Sequence, residues 1–186
     1  MIRKGVLKIY DGENNIIMES ENLILYSGRE FIMSILLNSN NSNIAQQSNS
    51  YRLGFWALGN GGLLDPFDPT TRILPSPNDL DLNNKLQGFD SNLQTVTNNR
   101  FYKRYSNTIF LTDSTNNDRY LITVVTLRLE ENEFENTHIN EAGLYLARSE
   151  NAKDPNNDFK IFSKTTFPSV FKSAGNILNF SWHFYT

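Results

Sequence analysis

The stretch that decides the fold is Ile139–Thr186, INEAGLYLARSENAKDPNNDFKIFSKTTFPSVFKSAGNILNFSWHFYT. Near its end, four large apolar residues alternate with four more polar ones: Leu178, Phe180, Trp182 and Phe184 with Asn179, Ser181, His183 and Tyr185. Successive side chains of a strand point to opposite faces, so a period of two predicts a half-buried β-strand. We therefore expect this strand to contribute its apolar face to the core.

The same kind of pattern recurs over much of the chain and predicts a mainly β fold. The sequence DGENN separates the first two apolar runs, and Asp-Gly is a strong hairpin signal. Phe167-Pro168 is expected to end a strand, because proline removes the next ladder donor. The predicted strands are 2–10, 16–25, 51–60, 102–112, 119–129, 142–148, 159–167 and 177–185. Several short strands separated by turn signals favour an antiparallel β-sandwich.

One short helix and one long irregular segment interrupt this pattern. Ser27 and Glu30 form a capping box ahead of apolar residues at helical spacing, which predicts a helix over 27–38. Residues 61–99, hereafter the arm, are rich in proline and asparagine, and 78–87 could form a short helical turn. A loop of this length usually has a function or is ordered by a partner. We expect a single β-sandwich domain, 1–186, that carries this arm at 61–99.

Composition excludes several classes of protein. The chain has 186 residues, 39% hydrophobic and 20% charged, with a net charge of −3. It has no cysteine, so disulfides, thiolate nucleophiles and cysteine metal sites are excluded. No apolar run is long enough for a transmembrane helix, and the N-terminus does not read as a signal peptide. An acidic balance argues against a nucleic-acid binder, which usually carries a basic patch.

Candidates for catalysis and metal binding are few. His138 and His183 are the two histidines, and His138 is expected in a solvated loop after the acidic run 130–135. That run could offer oxygen ligands to calcium but lacks the spacing of a calcium loop. Asp65 and Asp68 are a possible carboxylate pair for glycoside hydrolysis, although Asp-Pro is common in turns. We predict no enzyme activity, no cofactor and no metal site.

Two further motifs have simpler structural interpretations. The glycine-rich segment 59–62 lacks the lysine and helix start of a phosphate loop, so we expect its glycines to let a strand turn sharply. Arg100, Lys103 and Arg104 alternate with aromatic residues and could stack against a nucleic-acid strand. Strand alternation, with alkyl stems along aromatic neighbours, explains them equally well.

Several segments together resemble virion proteins of tailed bacteriophages, in particular the N-terminal attachment domains of tail-fibre proteins. Residues 55–62 (FWALGNGG) are similar to an aromatic–small–Leu-Gly-x-Gly-Gly strand end, and 139–145 (INEAGLY) to an I-x-E-x-G-L-[FY] strand. Residues 161–168 (IFSKTTFP) match L-F-A-[RK]-x-x-[FY]-P, and 177–185 match a closing L-x-[FI]-x-W-x-[IF]-[YF] strand. The N-terminal hairpin followed by a capped helix completes the likeness, which covers about half of the chain.

The resemblance implies a structural subunit that joins tail, baseplate or neck to fibres in a symmetric assembly. The sequence departs from fibre proteins in having no shaft or receptor-binding region after its last strand, which favours a free-standing adaptor, neck, baseplate or capsid-decorating subunit. Its partners would be other virion proteins and further copies of itself, with no nucleic acid and no membrane, and its location would be the virion. The residues expected to make partner contacts are apolar residues of the arm: Pro66, Phe67, Pro69, Ile73, Leu74 and Pro75.

Two alternatives remain open. The chain could decorate the capsid or belong to a head fibre. It could also be a carbohydrate-binding β-sandwich that recognises host glycans, with Trp56 or Tyr105 exposed on one face.

Overall fold

The computed structural model describes residues 4–29, 32, 52–65, 67–90, 100–113, 120–147 and 159–185. These residues form two five-stranded sheets whose neighbouring strands are all antiparallel. The predicted mainly β, antiparallel sandwich is therefore confirmed. Within the described residues, no helix has the length and apolar character to span a membrane.

The first sheet has the strand order β2-β1-β10-β7-β6. Its strands are β1 (Lys4–Tyr10), β2 (Ile16–Glu21), β6 (Asn107–Asp113), β7 (Tyr120–Leu129) and β10 (Leu178–Tyr185). The second sheet has the order β3-β9-β8-β4-β5. Its strands are β3 (Leu23–Ile24), β4 (Arg52–Gly59), β5 (Lys103–Arg104), β8 (Thr137–Ala147) and β9 (Phe159–Lys172).

The core lies between the two sheets and contains the alternating face of the C-terminal strand. Phe180 and Trp182 on β10 are fully buried, and Trp182 packs 5.2 Å from Trp56 of the second sheet, measured between ring centroids. Leu178 and Phe184 belong to the same cluster. The period-of-two prediction for this strand is confirmed, and its strand is central in its sheet rather than at an edge.

The predicted N-terminal hairpin is present, with a loop longer than an Asp-Gly turn. The Asp11 carboxylate accepts hydrogen bonds from the backbone N–H groups of Glu13 and Asn15. Asn14 takes the left-handed conformation, with φ of 67°. The predicted helix 27–38 is helical at 26–29 and at Ile32, and its other positions lie outside the described residues. The short helical turn suggested for 78–87 is absent, and a 3-10 helix occurs instead at Pro69–Thr71.

Several strand boundaries differ from the prediction because one apolar run of sequence can contribute a strand to each of the two sheets. The run 16–25 is divided into β2 and β3, which pair in different sheets on either side of Asn22. The run 102–112 is likewise divided into β5 and β6. Alternation does not report which sheet a residue joins, so a strand that changes sheet reads as one continuous run.

The strand predicted to end at Phe167 instead continues past Pro168 to Lys172. Ile139 pairs with Val170 and Glu141 with Thr166, so the register shifts around Pro168. A bulge tolerates the missing N–H of proline, which explains why the strand does not end there. The partner strand β8 begins at Thr137, so His138 lies on a strand and the expected solvated loop at His138 is wrong.

Candidate functional site

The second sheet carries an additional layer on its outer face. Alternate residues of β8 point away from the core: Glu141, Gly143 and Tyr145 face outwards, whereas Ala142 and Leu144 belong to the core between the sheets. Part of the arm, residues 76–86, lies on this outer face, and we call it the strap. Leu82 of the strap is only 7% exposed and belongs to a second apolar cluster with Tyr145.

Glu141 holds the strap through main-chain hydrogen bonds. Its carboxylate is fully buried and accepts the backbone N–H of Asn83 at 2.9 Å and that of Asn84 at 2.7 Å. It also accepts the N–H of Gly61 at 3.1 Å, just after β4. A buried carboxylate is costly unless its oxygens are satisfied, and here three donors from two segments converge on it.

Lys164 of β9 is the buried cation of the same site. It is 1% exposed, and its Nζ donates to Asn83 Oδ1 at 2.8 Å and to the carbonyl of Asp81 at 3.2 Å. It also forms an ion pair with Asp79 at 3.1 Å and lies 3.9 Å from Glu141 Oε2. The strap is thus joined to the sheet by a charge on each of two neighbouring strands.

A third attachment lies at Asp81. The Tyr145 hydroxyl donates to one Asp81 oxygen, and Lys85 Nζ forms an ion pair with the other at 2.8 Å. Burial raises the pKa of Tyr145 well above its ordinary value, and the negative charge of Asp81 adds to the effect. Lys85 Nζ also lies 4.5 Å from the Tyr102 ring centroid, within the range of a cation–π interaction.

Gly143 lies beneath this layer. A Cβ placed there would be 2.8 Å from Tyr145 Cε2 and 3.2 Å from Leu82 Cδ2. The strap therefore approaches the strand closely at Gly143, and the approaching side chain is Leu82.

A loop of the arm, residues 63–74, precedes the strap, and we call it the apolar loop. Its ends pair through a bridge between Leu63 and Arg72, and Leu64 N donates to the Thr71 carbonyl at 3.0 Å. Leu64, Phe67 and Leu74 are 79%, 86% and 71% exposed. Single exposed apolar side chains are normal on a protein surface, whereas three on one short loop favour an interaction site.

The two aspartates of this loop stabilise its turns. Asp65 Oδ1 accepts the Phe67 N–H at 2.9 Å, and Asp68 accepts both the N–H and the hydroxyl of Thr70. These hydrogen bonds lower the pKa of Asp68 below its usual range. The candidate glycosidase pair therefore caps turns within its own loop.

The predicted contact residues fall into three groups. Phe67 and Leu74 are exposed, and so is Leu64, which the sequence prediction did not include. Ile73 and Pro75 are half-buried, and the Ile73 carbonyl accepts the Thr166 hydroxyl at 2.9 Å. Pro69 begins the 3-10 helix, and Pro66 lies outside the described residues.

The two histidines lie far apart in the topology, on β8 and β10 of different sheets. His138 is exposed; its Nδ1 lies 3.0 Å from Ser169 Oγ, and its ring packs against Phe67 and Phe171. His183 is half-buried beside Ser181 Oγ at 2.9 Å. Burial lowers the pKa of His183, and the nearby Lys8 charge lowers it further.

The acidic run 130–135 contains a buried structural carboxylate. Glu133 is fully buried, pairs with Lys103 Nζ at 2.5 Å and accepts the N–H groups of Asp90 and Glu130. Lys103 is thereby engaged in an ion pair, which favours the structural interpretation of the basic cluster over the nucleic-acid one. In the described part of the chain, no group of three or more acidic or histidine side chains is arranged to hold a metal ion.

The structure corrects two interpretations of the sequence. Gly59, Gly61 and Gly62 do not take the left-handed conformation; they are required because other segments approach closely, as at Gly61, where a Cβ would lie 2.6 Å from Asn84 N. Trp56 is fully buried in the core, so it cannot present a platform to a glycan, and Tyr105 is half-buried against the same core.

Sequence reasoning missed the buried charges Lys164 and Glu133, and it missed the role of the exposed Asp81 in holding the strap. An isolated lysine or glutamate on a strand normally indicates a solvated face. The only available signal was the position of Lys164 between apolar and small residues, and it does not identify a partner 83 positions away at Asp81.

The molecule is therefore a two-sheet antiparallel β-sandwich with a third layer on one face and an exposed apolar loop beside that layer. In comparisons with known proteins, no family model, curated protein or solved structure matches the chain.

Proposed function

We propose that this chain is a structural subunit of a tailed-bacteriophage virion, which joins tail, baseplate or neck to fibres through protein–protein contacts. The proposal begins from the sequence resemblance described above. A capsid-decorating or head-fibre position is the alternative within the same class. In either position the protein acts by binding other subunits and carries out no catalysis.

The strongest support comes from the motif I-x-E-x-G-L-[FY] at 139–145. Ile139 and Leu144 are buried in the core, whereas Glu141, Gly143 and Tyr145 receive the strap on the opposite face. The outward-facing positions of the motif thus hold the arm on the sheet, and the inward-facing positions anchor the strand in the core. A motif that fixes an arm suits a subunit whose arm must present contacts at a defined place.

The apolar loop is the contact surface that we propose. Its hydrogen bonds through Asp65, Asp68 and Thr71 hold the backbone in place before any partner binds. A preorganised loop loses less conformational entropy on binding than a flexible one. Phe67, 86% exposed, would be the central anchor, since large aromatic side chains dominate interface energetics.

The test is the protein composition of purified phage particles from the source culture. We expect the chain to be present in the particles at a defined stoichiometry, measured by quantitative mass spectrometry. Its absence from particles that infect normally would overturn the proposal.

A matched pair of variants then tests the loop. Phe67→Asp should reduce incorporation into particles at least about tenfold, because it places a charge at the anchor of the interface. Leu80→Asp is the control, since Leu80 is 89% exposed but lies outside the apolar loop. Equal incorporation of both variants would exclude the loop as the contact while leaving the virion assignment to the particle analysis.

A further inference from the structure

The strand β6 forms an open edge of the first sheet. It pairs with β7 on one side, and no described strand pairs with its other side. Natural edges are usually protected by proline, lysine, bulges or short length. Over its seven residues, NTIFLTD, β6 has no proline or lysine, and its register with β7 shows no bulge.

The other three edges of the two sheets are better protected. The outer strands of the second sheet, β3 and β5, have two residues each. The strand β2 carries Glu19, which is ion-paired with Lys8, and its register shifts next to Tyr10. Among the described strands, β6 is therefore the edge with the greatest capacity to accept another strand.

The sequence of β6 is nearly symmetric about Phe110. Asparagine at 107 mirrors aspartate at 113, threonine at 108 mirrors threonine at 112, and Ile109 mirrors Leu111. In an antiparallel pair of two identical strands centred on Phe110, each residue would therefore face a residue of its own kind. A two-fold interface requires this self-complementarity.

The side chains on the outer face suit the same arrangement. Ile109 is 42% exposed and Leu111 is 47% exposed, and they flank Val124 and Ile122 on β7 in register. Across the two-fold axis, Ile109 would face Leu111 of the partner subunit. The half-exposed apolar pair at the edge would then be covered by its own counterpart.

We propose that β6 pairs with β6 of a second copy of this chain, so that two first sheets join into one ten-stranded sheet. Main-chain hydrogen bonds supply the pairing, and the Ile109–Leu111 contacts set the register. The proposal specifies the self-association that the proposed function calls for, but its own test is independent of any phage particle. Loss of the β6 contact would leave the apolar loop untouched, so the two proposals can fail separately.

The experiment uses the purified full chain and measures mass in solution by light scattering and sedimentation. We expect a dimer at micromolar concentrations. The double variant Ile109→Lys with Leu111→Lys should weaken dimerisation at least about tenfold, because the introduced like charges face each other across the axis. Ile109→Lys with Leu111→Glu should restore the dimer, because opposite charges then face each other.

Two controls separate this result from misfolding. Leu80→Lys removes an exposed apolar side chain away from β6 and should leave the dimer intact, and circular dichroism should show the same β spectrum for all variants. Ile109→Cys with Leu111→Cys should form a covalent dimer on mild oxidation, because position 109 would face position 111 of the second copy. The chain has no other cysteine, so a disulfide would report on this contact alone. A monomeric wild type, or a dimer that persists in the double-lysine variant, would overturn the proposal.

Discussion

At the scale of single residues, the molecule depends on a few buried charges that bind main-chain groups rather than solvent. Glu141 accepts three backbone N–H groups, and Lys164 donates to a carbonyl, a side-chain amide and a carboxylate. A buried charge is tolerated when it has this many hydrogen-bond partners. Removing the charged side chain leaves those buried partners unsatisfied. These residues therefore fix the position of the arm more than they add net stability.

Glu141→Ala tests this role. We expect it to lower the free energy of unfolding by about 3–5 kcal/mol, because it removes one of the two carboxylates near the buried Lys164 and leaves three N–H groups without an acceptor. The measurement is urea denaturation followed by circular dichroism. Glu135→Ala is the control; Glu135 is exposed in the loop before β8, and its removal should change stability by no more than about 0.5 kcal/mol. Equal effects of the two substitutions would show that the Glu141 contacts contribute nothing.

At the scale of elements, the strap behaves as an additional edge strand at its C-terminal end. Leu86 N donates to the Leu58 carbonyl at 2.9 Å, and Asn60 N donates to the Asn84 carbonyl at 3.1 Å. Between them, Lys85 and Gly59 form an antiparallel β-bridge. The strap thus extends the pairing of β4 beyond the end of β5. Paired main chain resists proteases, because cleavage requires the segment to open.

Limited trypsin digestion measures this protection at the Lys85–Leu86 bond. We expect the bond to be resistant in the folded wild type and to be cut faster in Lys164→Met, which removes the cation that holds Asp79 and Asn83. Lys160→Met, at an exposed position of the same strand, should leave the cleavage rate unchanged. Rapid cleavage at Lys85 in the wild type would contradict the packing of the strap on its own domain.

The elements also show what sequence alone could predict. The strict alternation of β10 identified both its faces, because an apolar stripe reports directly on burial. The divisions of the runs at Asn22 and between β5 and β6 were not predictable, because apolar character continues while the chain changes sheet. The arm was predicted as irregular, but its attachment was not, since the ion pair of Lys164 with Asp79 joins residues distant in sequence.

At the scale of the whole molecule, the order of the strands makes the two sheets interdependent. The described chain passes between the sheets four times, at β2–β3, β5–β6, β7–β8 and β9–β10. Each sheet is therefore assembled from distant parts of the chain. Its apolar inner face is buried only when it packs against the other sheet. Trp56 and Trp182, both fully buried, pack against each other between the two sheets.

This interdependence predicts a single cooperative unfolding transition, even in a weakened variant. Trp182→Ala should lower the free energy of unfolding by about 3–5 kcal/mol, a large share of the 5–15 kcal/mol typical of a domain. In that variant Trp56 is the only tryptophan left, so its fluorescence reports on the second sheet alone. Because a loosened first sheet would expose the core face of the second, fluorescence and far-ultraviolet circular dichroism should give the same urea midpoint. Separate midpoints would mean that the second sheet, with the strap on its outer face, is stable without the first.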